Sequence, residues 1–132
     1  NLDYIAVNQT IVNDDAPGIT YSGAWTDAPA TVRINGDEHY TKAANAYAQY
    51  TFTGNAVKWI GIRNTNRGMA DVYIDGVLNA TIDCYGSLAK QQELFSMTEL
   101  SDGPHTIKIV CKGQKNASAT DCYIDIDALM YR

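Results

Sequence analysis

Hydrophobic and polar residues alternate one by one along most of the chain, a pattern typical of β-strands with one buried face. Val72 and Ile74 alternate with polar neighbours, and Ile107 and Ile109 flank a lysine in the same way. No stretch of ten or more residues has helical periodicity, and the best helix candidate, 88–95, continues into a sequence more typical of a strand. The alternation predicts strands at 3–12, 19–25, 30–34, 47–53, 57–62, 70–75, 77–84, 92–98, 105–112 and 121–131.

Turn-forming residues separate these strands. Asp75-Gly76, between two alternating runs, is a strong signal of a β-hairpin. The other turn signals are Pro17-Gly18, Gly54-Asn55 and Asp102-Gly103-Pro104. Many short strands with regular turns indicate an all-β fold, an antiparallel β-sandwich of the jelly-roll type. The length of 132 residues, without repeats or linkers, predicts a single domain over 1–132.

Successive connections in an antiparallel sandwich lie at alternate ends of the fold. The tight turns at 54–56, 75–76 and 99–104 are therefore expected at one end, here named the turn end. The opposite end, here named the loop end, is expected to carry the longer polar connections at 35–46, 63–69, 85–91 and 113–120. Long loops on a rigid scaffold often carry binding residues, which makes the loop end the predicted site. Solvated loops without a function are the alternative.

Charge and composition exclude several classes of protein. The formal net charge is −5 and Lys and Arg form no cluster, whereas nucleic-acid binding requires a basic surface. No apolar run approaches the roughly 20 residues that span a bilayer, and no signal peptide is seen, so we expect neither nucleic acid nor membrane as a partner. Nine Tyr against two Phe favour recognition of sugars, because Tyr joins an apolar ring to a polar tip. The alternative is that β-proteins are rich in Tyr in any case.

The motifs of common catalytic sites are missing. The sequence has no G-x-S-x-G nucleophile elbow, no H-E-x-x-H zinc motif and no glycine-rich phosphate loop. Of the two histidines, His39 and His105, the second begins a strand and is interpreted as structural. These observations predict a non-catalytic protein, although the paired carboxylates of a glycosidase leave no sequence motif.

Two pairs of aspartates are candidate metal ligands. Asp14 and Asp15 lie in a turn near the N-terminus, and Asp125 and Asp127 share one face of the last predicted strand. If the first and last strands are neighbours, these carboxylates meet and supply the oxygen ligands that Ca²⁺ prefers. The alternative is that they are solvated or hydrogen-bonded in turns.

The three cysteines, Cys84, Cys111 and Cys122, are expected near the loop end with the parity of core residues. An odd number excludes complete pairing, and the absence of a C-x-x-C motif argues against zinc. Cys111 and Cys122 flank one hairpin loop and are candidates for a disulfide. The alternative, which we favour, is that all three are small buried thiols.

Five segments resemble a known family, and the resemblance covers nearly the whole chain. The segments are 14–25 (DDAPGITYSGAW), 47–54 (YAQYTFTG), 71–76 (DVYIDG), 100–109 (LSDGPHTIKI) and 123–128 (YIDIDA). The resemblance is to the jelly-roll carbohydrate-binding modules of extracellular polysaccharide-degrading enzymes, similar in architecture to families 6, 35, 61 and 66. It implies a secreted module with a structural calcium between the first and last strands. It also implies sugar binding, either through the loops at one end or on the concave sheet face.

The main hypothesis is a non-catalytic carbohydrate-binding module. We expect a monomer that forms part of a larger secreted enzyme, such as a glycoside hydrolase, and targets it to an oligo- or polysaccharide, with plant cell wall as the first candidate. The alternatives are a protein-interaction or adhesin domain and a polysaccharide-active enzyme domain. The predicted ligand-binding residues are Tyr40, Arg63, Asn64, Asn66, Arg67, Tyr85 and Trp25, and the predicted calcium ligands are Asp14, Asp15, Asp125 and Asp127. Arg63 and Arg67 would also suit an acidic sugar such as a uronate, whereas Trp59 is interpreted as core.

Overall fold

The computed structural model describes residues 9–29 and 37–132. This part of the chain consists of strands joined by turns and loops, with no helix, so the predicted all-β class is confirmed. The strands are β1 (Thr10–Asn13), β2 (Thr20–Ser22), β3 (Thr26–Pro29), β4 (Asp37–Thr41), β5 (Tyr47–Gly54), β6 (Val57–Arg63), β7 (Met69–Ile74), β8 (Val77–Asp83), β9 (Ala89–Met97), β10 (Gly103–Cys111), β11 (Ile124–Ile126) and β12 (Ala128–Tyr131). A search of the same residues for a helix long and apolar enough to cross a membrane finds none.

The strands form three antiparallel sheets. One has the order β1-β12-β6-β9, a second has the order β2-β5-β10-β7-β8, and a small third sheet has the order β11-β4-β3. Alternate side chains of the two larger sheets form one core, with Trp59 on β6, Val72 on β7 and Ile107 and Ile109 on β10 all nearly inaccessible to solvent. The predicted antiparallel β-sandwich is therefore confirmed, as is the assignment of Trp59 to its core.

From residue 47 onward the predicted strands agree with the structure within a few residues. The helix candidate 88–95 lies almost entirely in strand β9, as its continuation indicated. The last predicted strand, 121–131, is in fact two strands, because the chain leaves β11 at Asp127 and enters β12 in a different sheet.

Two strands, β3 and β4, are absent from the sequence-based prediction, which extended a strand to residue 25 and placed a loop at 35–46. The sequence of β4 is Asp-Glu-His-Tyr-Thr, and its buried positions, Glu38 and Thr41, are polar. A strand without aliphatic residues gives no hydrophobic alternation to detect. Residues 3–8 of the first predicted strand and the predicted strand 30–34 lie outside the described residues.

The turn end is built as expected. Asp75 and Gly76 both have positive φ, 52° and 80°, which is the conformation of the tight hairpin turns that Asp-Gly favours. The amides of Asn55 and Ala56 donate to the carbonyl of Arg132 over 2.6 and 3.2 Å. These contacts fasten the end of β12 to the β5–β6 turn.

The loop end brings together connections that are far apart in the sequence. The Gly68 amide donates to the Tyr123 carbonyl over 2.8 Å, and the Met69 amide donates to the Gln114 carbonyl over 2.9 Å. The loop after β6 is therefore hydrogen-bonded to the connection between β10 and β11. This contact gives the polar loops one shared surface.

Candidate functional site

A cavity of about 330 Å³ lies among the loop-end connections. Its volume is at the lower end of the roughly 300–1,000 Å³ that small-molecule sites occupy, which suits a single small ring. Four predicted ligand-binding residues line it, together with two residues that the sequence did not single out. The lining residues are Glu38, Tyr40, Asn64, Asn66, Arg67 and Tyr123.

The loop after β6 is held on both sides by backbone contacts. Asn64 forms an isolated β-bridge with Tyr85, and Arg67 forms one with Tyr123. The Arg67 amide also donates to the Asn64 carbonyl over 3.3 Å, which closes the loop on itself. The two bridges fix the cavity-lining side chains of this loop relative to Tyr123.

Gly68 allows this close approach because it has no side chain. A Cβ atom there would lie 2.6 Å from the Cα of Cys122 and 2.6 Å from the carbonyl oxygen of Gln114. Both contacts are with backbone, which cannot rotate out of the way. The cavity therefore depends on glycine at this position.

Arg67 supplies hydrogen-bond donors in the cavity wall although it is only 7 % exposed. Its Nη1 donates to Asn66 Oδ1 over 2.8 Å, and its Nε lies 3.7 Å from Asp125 Oδ1. Among residues 9–29 and 37–132, this Nε has no hydrogen-bond partner. The guanidinium is thus held in place by its neighbours and retains donor capacity for a ligand.

Asp125 lies fully buried behind the cavity wall. Its Oδ1 accepts a hydrogen bond from the Ile62 amide over 3.0 Å. The pKa of Asp125 is raised to about 8, chiefly because burial disfavours the charged carboxylate. The charge of Arg67 acts against this shift, and the neighbouring Glu38 contributes to it.

Two tyrosines form the aromatic part of the wall. The rings of Tyr40 and Tyr123 meet edge to face, with centroids 5.7 Å apart. A second, larger cavity of about 710 Å³ adjoins the first, since both tyrosines line it as well. Its wall includes Lys42 and Asp121, whose charged groups are 3.4 Å apart. The two cavities form a groove divided by the tyrosine pair.

Three predicted ligand-binding residues lie outside both cavities. Arg63 Nη1 donates to the carbonyl of Asp83 over 2.6 Å. Its guanidinium therefore binds the end of strand β8 and does not line a cavity. Tyr85 contributes a backbone bridge rather than a cavity wall. Trp25 packs against the core and donates its indole N–H to the Ser22 carbonyl over 3.0 Å, a scaffold role.

The two lining residues missed by the sequence analysis are Glu38 and Tyr123. Glu38 was hidden because β4 has no hydrophobic alternation, although Glu38 and Tyr40, two residues apart in a strand, face the same way. Tyr123 directly precedes the Ile-Asp-Ile-Asp segment and was assigned to the strand there. Its position next to the long polar 113–120 loop was the available signal.

The predicted calcium ligands have different surroundings in the structure. Asp14 is fully buried, with Oδ2 2.7 Å from His39 Nδ1, and Asp15 Oδ1 accepts a hydrogen bond from the Asn13 side chain over 2.6 Å. Asp125 Oδ1 accepts a hydrogen bond from the Ile62 amide and lies 3.7 Å from Arg67 Nε. Calcium binding by Asp14, Asp15, Asp125 and Asp127 remains a prediction.

Another set of metal-ligating groups does come together. Asp14, Asp27 and His39 each place a ligand atom within 4.8 Å of the others, and in the part of the chain that the structure describes this is the one such set. His39 also stacks on the Tyr21 ring at 4.1 Å between centroids. Asp14 therefore belongs to a histidine–carboxylate cluster that the sequence did not indicate.

Two curated proteins, both from Flavonifractor plautii, are similar to this chain in sequence, whereas no protein-family model matches it. An A type blood N-acetyl-alpha-D-galactosamine deacetylase is 39 % identical over 100 residues, covering 76 % of this chain and 13 % of that protein. An A type blood alpha-D-galactosamine galactosaminidase is 36 % identical over 122 residues, covering 92 % of this chain and 11 % of that protein. The chain thus corresponds to a small part of each relative.

Solved structures with the same fold include isolated sugar-binding modules. The family 35 carbohydrate binding module from Clostridium thermocellum has a TM-score of 0.58 at 13 % identity, covering 93 % of this chain and 98 % of that one. The CBM36-1 domain of a multidomain xylanase from the hindgut metagenome of Trinervitermes trinervoides has a TM-score of 0.56 at 20 % identity, covering 93 % and 95 %. A Paenibacillus xanthan lyase matches with a TM-score of 0.68 at 17 % identity, covering 91 % of this chain and 13 % of the lyase. The chain therefore has the β-sandwich fold of the carbohydrate-binding modules of polysaccharide-degrading enzymes.

Proposed function

We propose that this protein is a non-catalytic carbohydrate-binding module that holds a terminal sugar of a glycan in the loop-end cavity. The observation that carries the proposal is the composition of the wall, in which a carboxyl, a guanidinium, two amides and two tyrosines surround one small cavity. A sugar ring presents hydroxyl groups around its edge and C–H groups on its faces. The polar side chains suit the hydroxyls, and the tyrosine rings suit the apolar face.

The shape of the site supports binding at a chain end. The smaller cavity suits one ring, and the larger cavity beyond the Tyr40–Tyr123 pair has room for the sugar that follows it. A glycan bound in this way would place its last ring against Arg67 and continue past the two tyrosines. Tyr40 and Tyr123 would contact both rings.

The two carboxyl groups near the cavity argue against hydrolysis. Glycosidases place a pair of carboxyls on opposite sides of the scissile bond, roughly 5–9.5 Å apart. Glu38 lines the cavity, whereas Asp125 is fully buried and is not among the lining residues. A sugar in the cavity is therefore not flanked by these two carboxyl groups, which supports binding rather than hydrolysis.

The relatives support a role as an accessory module of a glycan-processing enzyme. Both named proteins act on galactosamine-containing blood-group sugars, and the chain matches 13 % and 11 % of their lengths. We infer that the module acts outside the cell as a monomer attached to such an enzyme. We also infer that it targets the enzyme to glycans that carry an amino sugar, in place of the plant cell-wall polysaccharide first expected.

A glycan array followed by titration calorimetry tests this proposal. We expect the protein to bind a defined set of glycans without turnover. Tyr123→Ala should weaken binding by at least about tenfold, since it removes an aromatic contact at the centre of the site. Tyr85→Ala is the matched control, because that tyrosine lines neither cavity.

Two results would contradict the proposal. The first is the absence of binding to every glycan on the array. The second is equal weakening by Tyr123→Ala and Tyr85→Ala, which would place the sugar outside the loop-end cavity.

A further inference from the structure

Resting on the proposed function, we propose that the larger cavity, beyond the tyrosine pair, binds a short acyl group such as the acetyl of an acetamido sugar. The sugar that follows the terminal one carries this acyl group. The smaller cavity then holds the hydroxyl-rich terminal ring, and the larger cavity distinguishes glycans that share the same terminal sugar but differ in the substituent on the next one.

The wall of the larger cavity is the first support for this inference. Ala24, Ala43 and Cys122 line it together with Tyr40 and Tyr123. Methyl groups, a thiol and aromatic rings are stabilised when an apolar group replaces the water against them. The volume of about 710 Å³ leaves room for a substituent beside a sugar ring, because small-molecule sites begin at roughly 300 Å³.

The hydrogen bonds of this wall are the second support. The Thr41 hydroxyl donates to the Ala24 carbonyl over 2.7 Å and accepts from the Ala43 amide over 3.1 Å. The Lys42 ammonium group lies 3.4 Å from the Asp121 carboxylate. These polar groups bind partners within the protein, so a ligand hydroxyl would have to compete with those partners. An apolar substituent does not compete with them.

The smaller cavity has a different character and explains where the acyl group must lie on the glycan. Arg67 lines the smaller cavity, and its Nε has no hydrogen-bond partner among residues 9–29 and 37–132, so it can donate to a sugar hydroxyl. Tyr40 and Tyr123 line both cavities. A glycan bound by its end would therefore bring the carbon beside its first glycosidic bond into the larger cavity, and an acyl group on that carbon would reach the apolar wall.

The test compares three disaccharides by titration calorimetry. Each has a terminal galactosamine joined by an α-1,3 bond to the methyl glycoside of galactose, N-acetylgalactosamine or N-butanoylgalactosamine. The three differ only at C2 of the second sugar, the carbon next to the linkage. We expect the N-acetyl compound to bind at least about fivefold tighter than the galactose compound, because the acetyl group buries apolar surface. The N-butanoyl compound has two more methylenes and should bind at least about threefold tighter again.

Ala24→Asp places a carboxylate in the apolar wall, at an exposed residue that lines the larger cavity. It should reduce both preferences to within about twofold, because a charged group next to the acyl chain keeps its water. The affinity for the galactose compound should stay within about threefold. Ala117→Asp is the matched control, since it makes the same change at an exposed alanine of the 113–120 loop that lines neither cavity. It should retain both preferences.

Two results on the unaltered protein would overturn the inference. One is an N-acetyl compound that binds no tighter than the galactose compound, and the other is an N-butanoyl compound that binds no tighter than the N-acetyl compound. This comparison needs no variant, so it remains decisive if circular dichroism shows that Ala24→Asp is unfolded. Preferences that survive in folded Ala24→Asp, or that are lost equally in Ala117→Asp, would also overturn the inference, because the acyl group would then lie outside the larger cavity.

The glycan array separates this inference from the proposed function. If none of the three disaccharides binds but the array identifies another glycan, the inference is wrong and the proposed function stands. If the array identifies nothing, both are wrong.

Discussion

His105 uses both ring nitrogens at the turn end of the sandwich. Its Nδ1 lies 2.6 Å from Asp75 Oδ2, and its Nε2 lies 2.6 Å from the Ser101 carbonyl. A carbonyl and a carboxylate can only accept, so both nitrogens donate when the ring is protonated. The Asp75 hydrogen bond and the Ser101 hydrogen bond raise the pKa of His105. The His105 and Thr106 hydrogen bonds lower the pKa of Asp75.

These shifts predict a stability that depends on pH. The hydrogen bonds of His105 stabilise the folded state fully at pH values below its unfolded-state pKa of about 6.5. This stabilisation is lost as the pH rises through the raised pKa of His105 in the folded state. The hydrogen bonds of Asp75 stabilise the folded state fully at pH values above its unfolded-state pKa of about 3.9. This stabilisation is lost as the pH falls through the lowered pKa of Asp75 in the folded state. The pair therefore stabilises the fold most between about pH 4 and pH 6.5.

Thermal melts between pH 5 and pH 9 measure this dependence. We expect the melting temperature to fall by a few degrees as the pH rises above 6.5, and His105→Gln to flatten that part of the profile. An NMR titration of the His105 ring gives its pKa directly. A value at or below 6.5 would contradict the prediction.

The cysteines give a second prediction at the scale of single residues. Burial raises the pKa of the Cys84 thiol to about 12 and also raises that of Cys111, whereas Cys122 is partly exposed. Thiolate is the reactive form, so a thiol reagent should modify Cys122 rapidly in the folded protein. Cys84 and Cys111 should react only after unfolding.

Mass spectrometry after brief alkylation identifies the modified cysteine. Cys122→Ser should abolish the rapid reaction. In the structure Cys84, Cys111 and Cys122 are free thiols, as favoured from the sequence. If Cys122 of the native protein did not react until a reductant was added, it would instead be in a disulfide, for which Cys111 is the candidate partner.

At the scale of strands, prediction from sequence succeeds where burial is apolar. β7 and β10 alternate regularly because one face meets the core and the other meets solvent. β4 breaks this rule, because its buried positions carry Glu38 and Thr41. A strand whose buried face lines a polar cavity has no hydrophobic period, so the local pattern cannot indicate it.

Gly68 lies between the cavity-lining residue Arg67 and the first residue of strand β7. Replacing it with alanine forces Cys122 and Gln114 away from the loop after β6, because the new Cβ would lie 2.6 Å from backbone atoms of both. We expect Gly68→Ala to lower the free energy of unfolding by about 1–3 kcal/mol, the usual cost of overpacking. Glycan binding should weaken as well, because the contact between Arg67 and Tyr123 opens.

Chemical denaturation and titration calorimetry measure the two effects. Gly86→Ala is the control in a neighbouring loop, where a Cβ would make ordinary contact with the Arg63 side chain at 3.7 Å. If Gly68→Ala and Gly86→Ala had the same free energy of unfolding and the same affinity for the glycan, the close backbone contact at Gly68 would not be required.

At the scale of the molecule, the position of the loop-end cavity was predictable, whereas its lining was predictable only in part. Because successive connections lie at alternate ends, the long loops are expected at one end of the sandwich. This rule predicted that Tyr40 and Arg67 lie close together, and both line one cavity. It could not separate Arg67 from Arg63, because the sequence does not show that Arg63 reaches back to the Asp83 carbonyl. Which loop side chains face inward depends on tertiary contacts.

The calcium prediction also belongs to the whole molecule, because it concerns how the first and last strands are joined. β1 pairs with β12, and Asn13 lies opposite Ala128, so the chain does bring the region of Asp14 close to that of Asp127. A structural calcium here would stabilise the folded state by an amount that rises with the logarithm of the free calcium concentration once that concentration exceeds the Kd. We expect EDTA to lower the melting temperature and millimolar CaCl₂ to restore it.

Calorimetric melts with and without the chelator provide this measurement. Asp127→Asn should reduce the response to calcium. A melting temperature that is the same under all conditions would show that these aspartates serve the fold through hydrogen bonds alone.

The hydrogen bond from Trp59 Nε1 to the Asp125 carbonyl, 3.0 Å long, has a practical consequence. Indole fluorescence is sensitive to the electric field and hydrogen bonding around the ring. Trp59 is fully buried and bound to the residue whose carboxyl lies behind the cavity. Since the chain has two tryptophans, Trp25→Phe leaves Trp59 as a single optical probe inside the protein. Its emission would report events in the cavity without any attached dye.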